Sequence, residues 1–354
     1  GIALRVLMRP PFSKADLAAV FIERAGSLTK PGGSIALVTP LAWTFLGSYK
    51  KLRVSLLETS AIDLLARLGA GAFETISGEV VSCALCVISN HVPVEYHALF
   101  AIDASGDASA SSKAQELCNS GQPIAQISLH ENPDSRFVVE ALGSRASLLS
   151  NFAGAYYGQG TGDLARFGAF CWEVPVLTQD WERVQSTVAS SMEFGGRSLV
   201  VFWERGCGGM LRLAVELRAR LKNIHERGAE AWGKQGVAVS LMGTLPASLY
   251  DGSIFDTNCA AVVPKNPEHL PALWSFLSDE NYGIAVRKID QSIKVTNATL
   301  LKVPFDLAHW QKVAAEKYPH GLPKPFSSDP TQWLFNGHPA GSDQPLQVAV
   351  ARLL

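Results

Sequence analysis

Lys30-Pro-Gly-Gly-Ser-Ile-Ala-Leu-Val-Thr-Pro40 joins a breaker-rich turn to a short apolar run, and its reading decides the fold class. Ser34 to Thr39 is bounded by Gly and Pro, the pattern of a strand buried on both faces of a parallel sheet. Upstream, Leu17, Val20, Phe21 and Leu28 fall on one helical face, with Ser13 as N-cap and Asp16 in the first turn. A helix, a Pro-Gly-Gly turn and a buried strand make half of a βαβ unit, the building block of α/β folds.

Downstream the alternation continues. Ser48 to Glu58 places Tyr49, Leu52, Leu56 and Leu57 on one helical face and Lys50, Lys51 and Arg53 outside, and Ile62 to Leu68 follows as a second strand. After Gly69-Ala-Gly71, Val80 to Ser89 is a third strand, and the short return predicts an antiparallel pair at the sheet edge. Ala101 to Ser112 is rich in Ala, Ser, Asp and Gly and reads as a surface loop, and Gln115 to Pro133 as irregular. Residues 101–150 are therefore expected to link two domains.

Beyond the linker the chain changes character. Tyr156 to Trp172 sets Gly158, Gly160 and Gly162 among aromatic residues, with Asp163 and Arg166 on the same turn. It follows no apolar strand of the dinucleotide-binding kind, which argues against a phosphate cradle. Short apolar segments at Ser198–Trp203, Val237–Leu241 and Ala260–Val263 predict a strand-rich second half. Between them Met210 to Arg227 reads as a helix carrying Arg212, Arg218, Arg220, Lys222 and Arg227. A solvated helix face and a nucleic-acid contact both account for that cluster.

Composition narrows the classes. The chain has 354 residues, 47% of them hydrophobic, enough for two domains with ordinary cores. Lys+Arg 31 against Asp+Glu 32 gives a net charge of -1, so nucleic-acid binding must come from local patches. Six scattered cysteines suit reduced thiols and a cytoplasmic protein without structural disulfides. Cys83 and Cys86 lie in an apolar run with no second pair and no nearby His, so core packing is expected and no metal site. No apolar run approaches the roughly 18 residues of a membrane span. A start at Gly1 and an uncapped end at Leu354 give the expectation of a piece of a longer protein.

Several ordered blocks resemble one family. Ser13-Lys-Ala-Asp-Leu-Ala-Ala-Val-Phe-Ile-Glu-Arg24, Lys30 to Pro40, Leu46-Gly-Ser-Tyr-Lys-Lys-Leu-Arg53 and Leu68-Gly-Ala-Gly-Ala-Phe-Glu-Thr-Ile-Ser-Gly-Glu-Val80 are similar to large bacterial adenine-specific (N6) DNA methyltransferases. They resemble in particular those of BREX phage-defence systems and fused restriction-modification enzymes. Gly158-Gln-Gly-Thr-Gly-Asp163, Arg166-Phe167, Trp172-Glu173, Phe202-Trp203-Glu204, Gly252-Ser-Ile-Phe-Asp256 and Ile289 to Pro304 resemble the target-recognition region of that family.

The resemblance implies an α/β fold: the C-terminal portion of a Rossmann-like methyltransferase sheet, then a mixed α+β, strand-rich target-recognition domain. Residues 1–100 would belong to the catalytic domain, 101–150 to the linker, 151–310 to target recognition and 311–354 to a truncated extension. It implies S-adenosylmethionine as methyl donor in the full-length protein, with the donor-binding half absent here, double-stranded DNA as substrate, and defence-system partner proteins. In such enzymes an Asn/Asp-Pro-Pro-Tyr/Phe turn accepts the adenine N6 proton and stacks on the flipped base. Arg9-Pro10-Pro11-Phe12 has the prolines and the ring, but Arg9 offers no acceptor, so it reads as a decoy or a degenerate turn.

Candidate DNA contacts are Thr161, Asp163 and Arg166 at the opening turn, Lys222 and Lys234 in the middle, and Arg287, Lys288, Gln291 and Lys294 near the end. Trp172, Trp203 and Trp232 are large enough to stack on a base, although most aromatic residues at such spacing are core. The leading expectation is a methyltransferase fragment inactive by itself. A non-enzymatic DNA-specificity module or decayed gene remnant, and an unrelated Rossmann-like transferase, are the alternatives.

Overall fold

The computed structural model describes residues 16–73, 82–106, 109–119, 121–138, 147–160, 163–171, 173–221 and 228–324. The chain divides into two compact units, residues 1–145 with 288–292, and residues 146–287 with 293–354.

The first unit is a five-stranded mixed sheet. Helix α1 (Leu17–Leu28) leads through the Pro-Gly-Gly turn into β1 (Ser34–Pro40), then α2 (Lys50–Thr59), β2 (Ala61–Gly69) and β3 (Cys83–Ser89). Asp16, not Ser13, caps α1: its side chain accepts from the Ala18 amide at 3.0 Å. Gly32 turns the chain with φ +77°, and its amide donates to Asn90 O at 2.9 Å.

The antiparallel pair of β2 and β3 forms as expected, but β3 is not at the edge. It lies between β1 and β2 and is antiparallel to both, which makes β1 and β2 parallel to each other. Two further strands extend the sheet to β1-β3-β2-β4-β5: β4 (Ala98–Asp103), parallel to β2, and β5 (Gln122–Ala125). The expected loop at Ala101–Ser112 is thus the end of β4 and the start of α3 (Ala110–Asn119). Pairing with β2 and burial of Ala101 and Ile102 outweigh the loop-like composition.

The main core cluster of this unit lies on one face. Ile35, Leu37, Ala84, Cys86, Ile88, Ile62, Leu65, Leu99 and Ala101 pack there against Ala19 and Ile22 of α1 and Leu52 and Leu57 of α2. Cys86 is part of that core, and burial pushes its thiol up to about 11. The expectation that β1 is covered on both faces fails, because Ser34, Ala36 and Val38 are exposed, Val38 by 57%.

The second unit has two four-stranded sheets. One is antiparallel, β11-β10-β13-β6, from β6 (Ala153–Tyr157), β10 (Gly236–Ser240), β11 (Ala247–Tyr250) and β13 (Cys259–Pro264). Its central strands β10 and β13 are buried along their whole length. The other is β12-β8-β9-β7, from β7 (Gly168–Phe170), β8 (Trp181–Gln185), β9 (Leu199–Phe202) and β12 (Ile254–Phe255). Helices α4 (Gly209–Leu221), α5 (Leu270–Leu277), α6 (Glu280–Ile289) and α7 (Leu307–Lys317) complete it. Trp274 of α5 donates from Nε1 to the Tyr318 hydroxyl at 2.7 Å. The mixed α/β class read from the sequence is the class observed.

Candidate nucleic-acid interface

The glycine-rich turn after β6 is shaped first by its own chain. A Cβ on Gly158 would stand 1.8 Å from Asp256 O, so only glycine fits there. The Gln159 amide donates to Phe255 O at 2.7 Å, and Gln159 forms a parallel bridge with Asp256. Asp256 is fixed in turn: its amide donates to Gln185 O at 2.9 Å, its Oδ2 accepts from Ser186 Oγ at 2.5 Å, and its Oδ1 accepts from the Asn258 amide at 2.7 Å. The turn is therefore clamped to the ends of β8 and β12, and what it presents outward comes after the clamp.

The outward part carries two of the sequence candidates. Asp163 caps the helical turn Leu164–Phe167, accepting from the Arg166 amide at 3.2 Å, and the Arg166 guanidinium lies over the Phe167 ring at 4.9 Å. Both are exposed. Lys294 joins the same neighbourhood from a distant part of the chain. Its Nζ donates to Asn258 Oδ1 at 3.3 Å and sits 5.6 Å from the Tyr157 ring centroid.

The remaining candidates are dispersed. Lys234 is exposed on the turn before β10. Arg287 is a structural tie: it donates to Gly243 O from Nε at 3.1 Å and Nη2 at 2.8 Å, and to Ile293 O at 3.4 Å. Lys288 is exposed at the end of α6, and Gln291 donates to Ser105 Oγ at 3.3 Å within the first unit. Arg9, Pro10, Pro11, Phe12, Thr161, Trp172 and Lys222 lie outside the described residues. Trp203 and Trp232 are core: they meet edge to face at 5.8 Å, packed with Phe167, Met210 and Ile254. On α4, Arg212 and Arg220 are exposed on the face away from Met210 and Ala214.

Sequence reasoning missed two arginine centres. In the first unit Arg53 is fully buried instead of facing solvent. Its guanidinium donates to Trp43 O and Leu46 O at 2.8 Å each, to Asp134 O at 3.0 Å and to Ser135 O at 3.2 Å. Desolvation and the nearby Arg136 lower its pKa to about 9. In the second unit Arg197 is buried, donating to Gln185 Oε1 and Asp251 Oδ2 at 2.7 Å each, with Arg183 on the adjacent strand β8. The one available signal was the alternation Trp181-Glu-Arg-Val-Gln185, which puts Arg183 and Gln185 on one strand face.

No protein-family model matches the chain. A stretch of 90 residues, 25% of this chain, is 44% identical to the adenine-specific methyltransferase BrxX of Escherichia coli O9:H4 (strain HS). Another match of 78 residues, 22% of this chain, is 46% identical to the adenine-specific methyltransferase PglX of Lacticaseibacillus casei (strain Zhang). Over these stretches the chain is similar to adenine-specific methyltransferases. The matched stretches span 8% and 6% of those two proteins. In fold, the chain is similar over 99% of its length to half (50%) of the Type IIL restriction-modification enzyme MmeI, solved in complex with DNA, with a TM-score of 0.57 and 14% identity.

The carboxyl end of β1 runs into the turn Leu41–Thr44, whose Leu41, Trp43 and Thr44 are buried, and that of β2 into Gly69–Phe73. No donor contact is assigned to them. Among the described residues no group of His, Cys, Asp and Glu is arranged to hold a metal ion, and no helix is long and apolar enough to cross a membrane.

Proposed function

We propose that this chain is part of a site-specific, S-adenosylmethionine-dependent adenine-N6 DNA methyltransferase of a cytoplasmic phage-defence or restriction-modification system. The first unit supplies the closing strands of the catalytic sheet and the second unit recognises the DNA target. The observation that carries this is a conjunction: 44% identity to an adenine-specific methyltransferase over 90 residues, and a fold followed over 99% of the chain in a DNA-complexed restriction-modification enzyme.

The sheet itself supports an incomplete catalytic domain. Among the described residues β1 pairs only with β3, which leaves its other edge without a described partner, and Ser34, Ala36 and Val38 are exposed. Leu17, Phe21 and Leu28 of α1 are exposed by 67%, 60% and 70%. An open strand edge next to bare apolar side chains is the surface on which further strands and a helix of the same sheet dock. The donor is held by those further elements.

A labelled-donor assay on duplex DNA tests this. Residues 1–354 alone bind DNA and transfer no methyl group; the same chain joined to the coding sequence upstream of Gly1 methylates adenine N6. Turnover by residues 1–354 alone would refute the division of labour. Failure of both to methylate, with DNA binding intact, would favour a non-enzymatic DNA-specificity module.

A further inference from the structure

Desolvation lowers the pKa of Arg53, Arg67, Arg136, Arg183 and Arg197. Four of these are answered within the chain. Arg53 has its carbonyls, Arg67 the Asp103 carboxylate at 3.5 Å, Arg136 that of Asp134 at 3.6 Å, and Arg197 that of Asp251 at 2.7 Å. Arg183 differs. Among the described residues it makes no hydrogen bond and no ion pair, and its Nη1 is buried. The side chain is half-buried, so one guanidinium nitrogen is withdrawn from water without a partner while the rest stays within reach of solvent and of a ligand.

The charge balance around it has the sign of an anion site. Its electrostatic neighbours are Cys171, Arg197 and Asp251. Asp251 is engaged by Arg197, and Glu182 alternates to the opposite face of β8. Two guanidiniums face one carboxylate, so one positive charge is left over.

The setting suits nucleic acid. On the same face of β8 as Arg183, Trp181 stands opposite Phe202 of β9, the two rings meeting edge to face at 5.2 Å, both half-buried. A half-buried aromatic pair beside an arginine with no hydrogen-bond partner is a surface on which a phosphate backbone can sit. Arg183 also stands two residues from Gln185, whose carbonyl anchors Asp256 and through it the Gly158–Gln159 turn. It is thus continuous with the turn that presents Asp163 and Arg166.

We propose that Arg183 is an anion-binding residue of the second unit that takes a backbone phosphate of duplex DNA. This rests on the DNA-recognition reading above. The shared chemistry is a phosphate oxyanion, and free phosphate is the competing source.

The test is duplex-DNA binding by residues 1–354 across a KCl series, followed by fluorescence anisotropy, for wild type, Arg183→Lys, Arg183→Met and Arg183→Gln, with thermal melting as the check on folding. Loss of one phosphate contact makes the slope of log K against log[salt] shallower by about 1 and weakens binding about 5- to 10-fold at 0.1 M salt in Arg183→Met. Arg183→Lys keeps the slope. Should the Met variant melt early, Arg183→Gln carries the comparison. A wild-type slope in a folded neutral variant overturns the assignment of Arg183 and leaves the DNA reading standing. Absence of DNA binding by wild type overturns both. Inorganic phosphate that raises the melting temperature of wild type but not of Arg183→Met, with identical DNA slopes, marks a free-anion site and overturns DNA as the ligand.

Discussion

Arg53 in the first unit is fully buried and Arg183 in the second is half-buried; burial lowers the pKa of both, yet their surroundings are opposite. Arg53 donates to four main-chain carbonyls, two of them more than 80 residues away in sequence, at Asp134 and Ser135. Arg183 has no hydrogen bond among the described residues. The same side chain is a structural tie where the fold answers it, and is proposed as a receptor where the fold does not.

Substitutions sharpen the contrast. Arg53→Met removes the side-chain donor to the carbonyls of Trp43, Leu46, Asp134 and Ser135, of which Leu46 O keeps the Tyr49 amide, and denaturant unfolding should report a loss of about 3–5 kcal/mol. A loss below about 1 kcal/mol would mean the carbonyls find water, and the comparison would collapse. Asp251→Asn strips the carboxylate from Arg197, which keeps its bonds to Gln185 Oε1 and Leu249 O, and is expected to cost about 2–3 kcal/mol because Asp251 is partly exposed. In Gly158→Ala the new methyl meets Asp256 O, and a shift of the turn costs about 2 kcal/mol, read as a lower melting temperature. Arg287→Ala releases Gly243 and Ile293 at the exposed hairpin turn and costs about 1 kcal/mol. Smallest of all, Arg183→Met should leave stability within about 0.5 kcal/mol of wild type, since no internal bond is lost.

The same contrast explains what the sequence disclosed. α1, β1, α2 and β2 were legible because each is a local apolar pattern between breakers, the kind of signal a short window contains. β5 was not: Gln122-Pro-Ile-Ala125 carries a Pro and is a strand only because its neighbour β4 needs a partner at the sheet edge. Arg53 sat in a helix pattern beside Lys50 and Lys51 and looked solvent-facing. Its burial depends on Asp134 and Ser135, which no local pattern connects to it. Of the candidate cations, Arg166 stays exposed as its turn-like setting implied, whereas Arg287 and Lys294 are held by Gly243 and Asn258. Charge is visible in sequence, and the partner that uses it up is not.

The opening turn shows the same limit. Gly158-Gln-Gly marks the place where the second unit begins its ordered blocks, but the demand for glycine comes from Asp256, nearly a hundred residues on. What the turn offers to a ligand is Asp163 and Arg166, beyond the clamp.

The central claim is that the second unit meets duplex DNA through phosphate neutralisation by a few placed cations on a chain of net charge -1. The most direct test is the salt dependence of duplex binding by wild-type residues 1–354. The account predicts that log K falls linearly with log[KCl], with a slope of about -0.9 for each phosphate neutralised. Binding indifferent to salt, or no binding at 50 mM KCl, would contradict it.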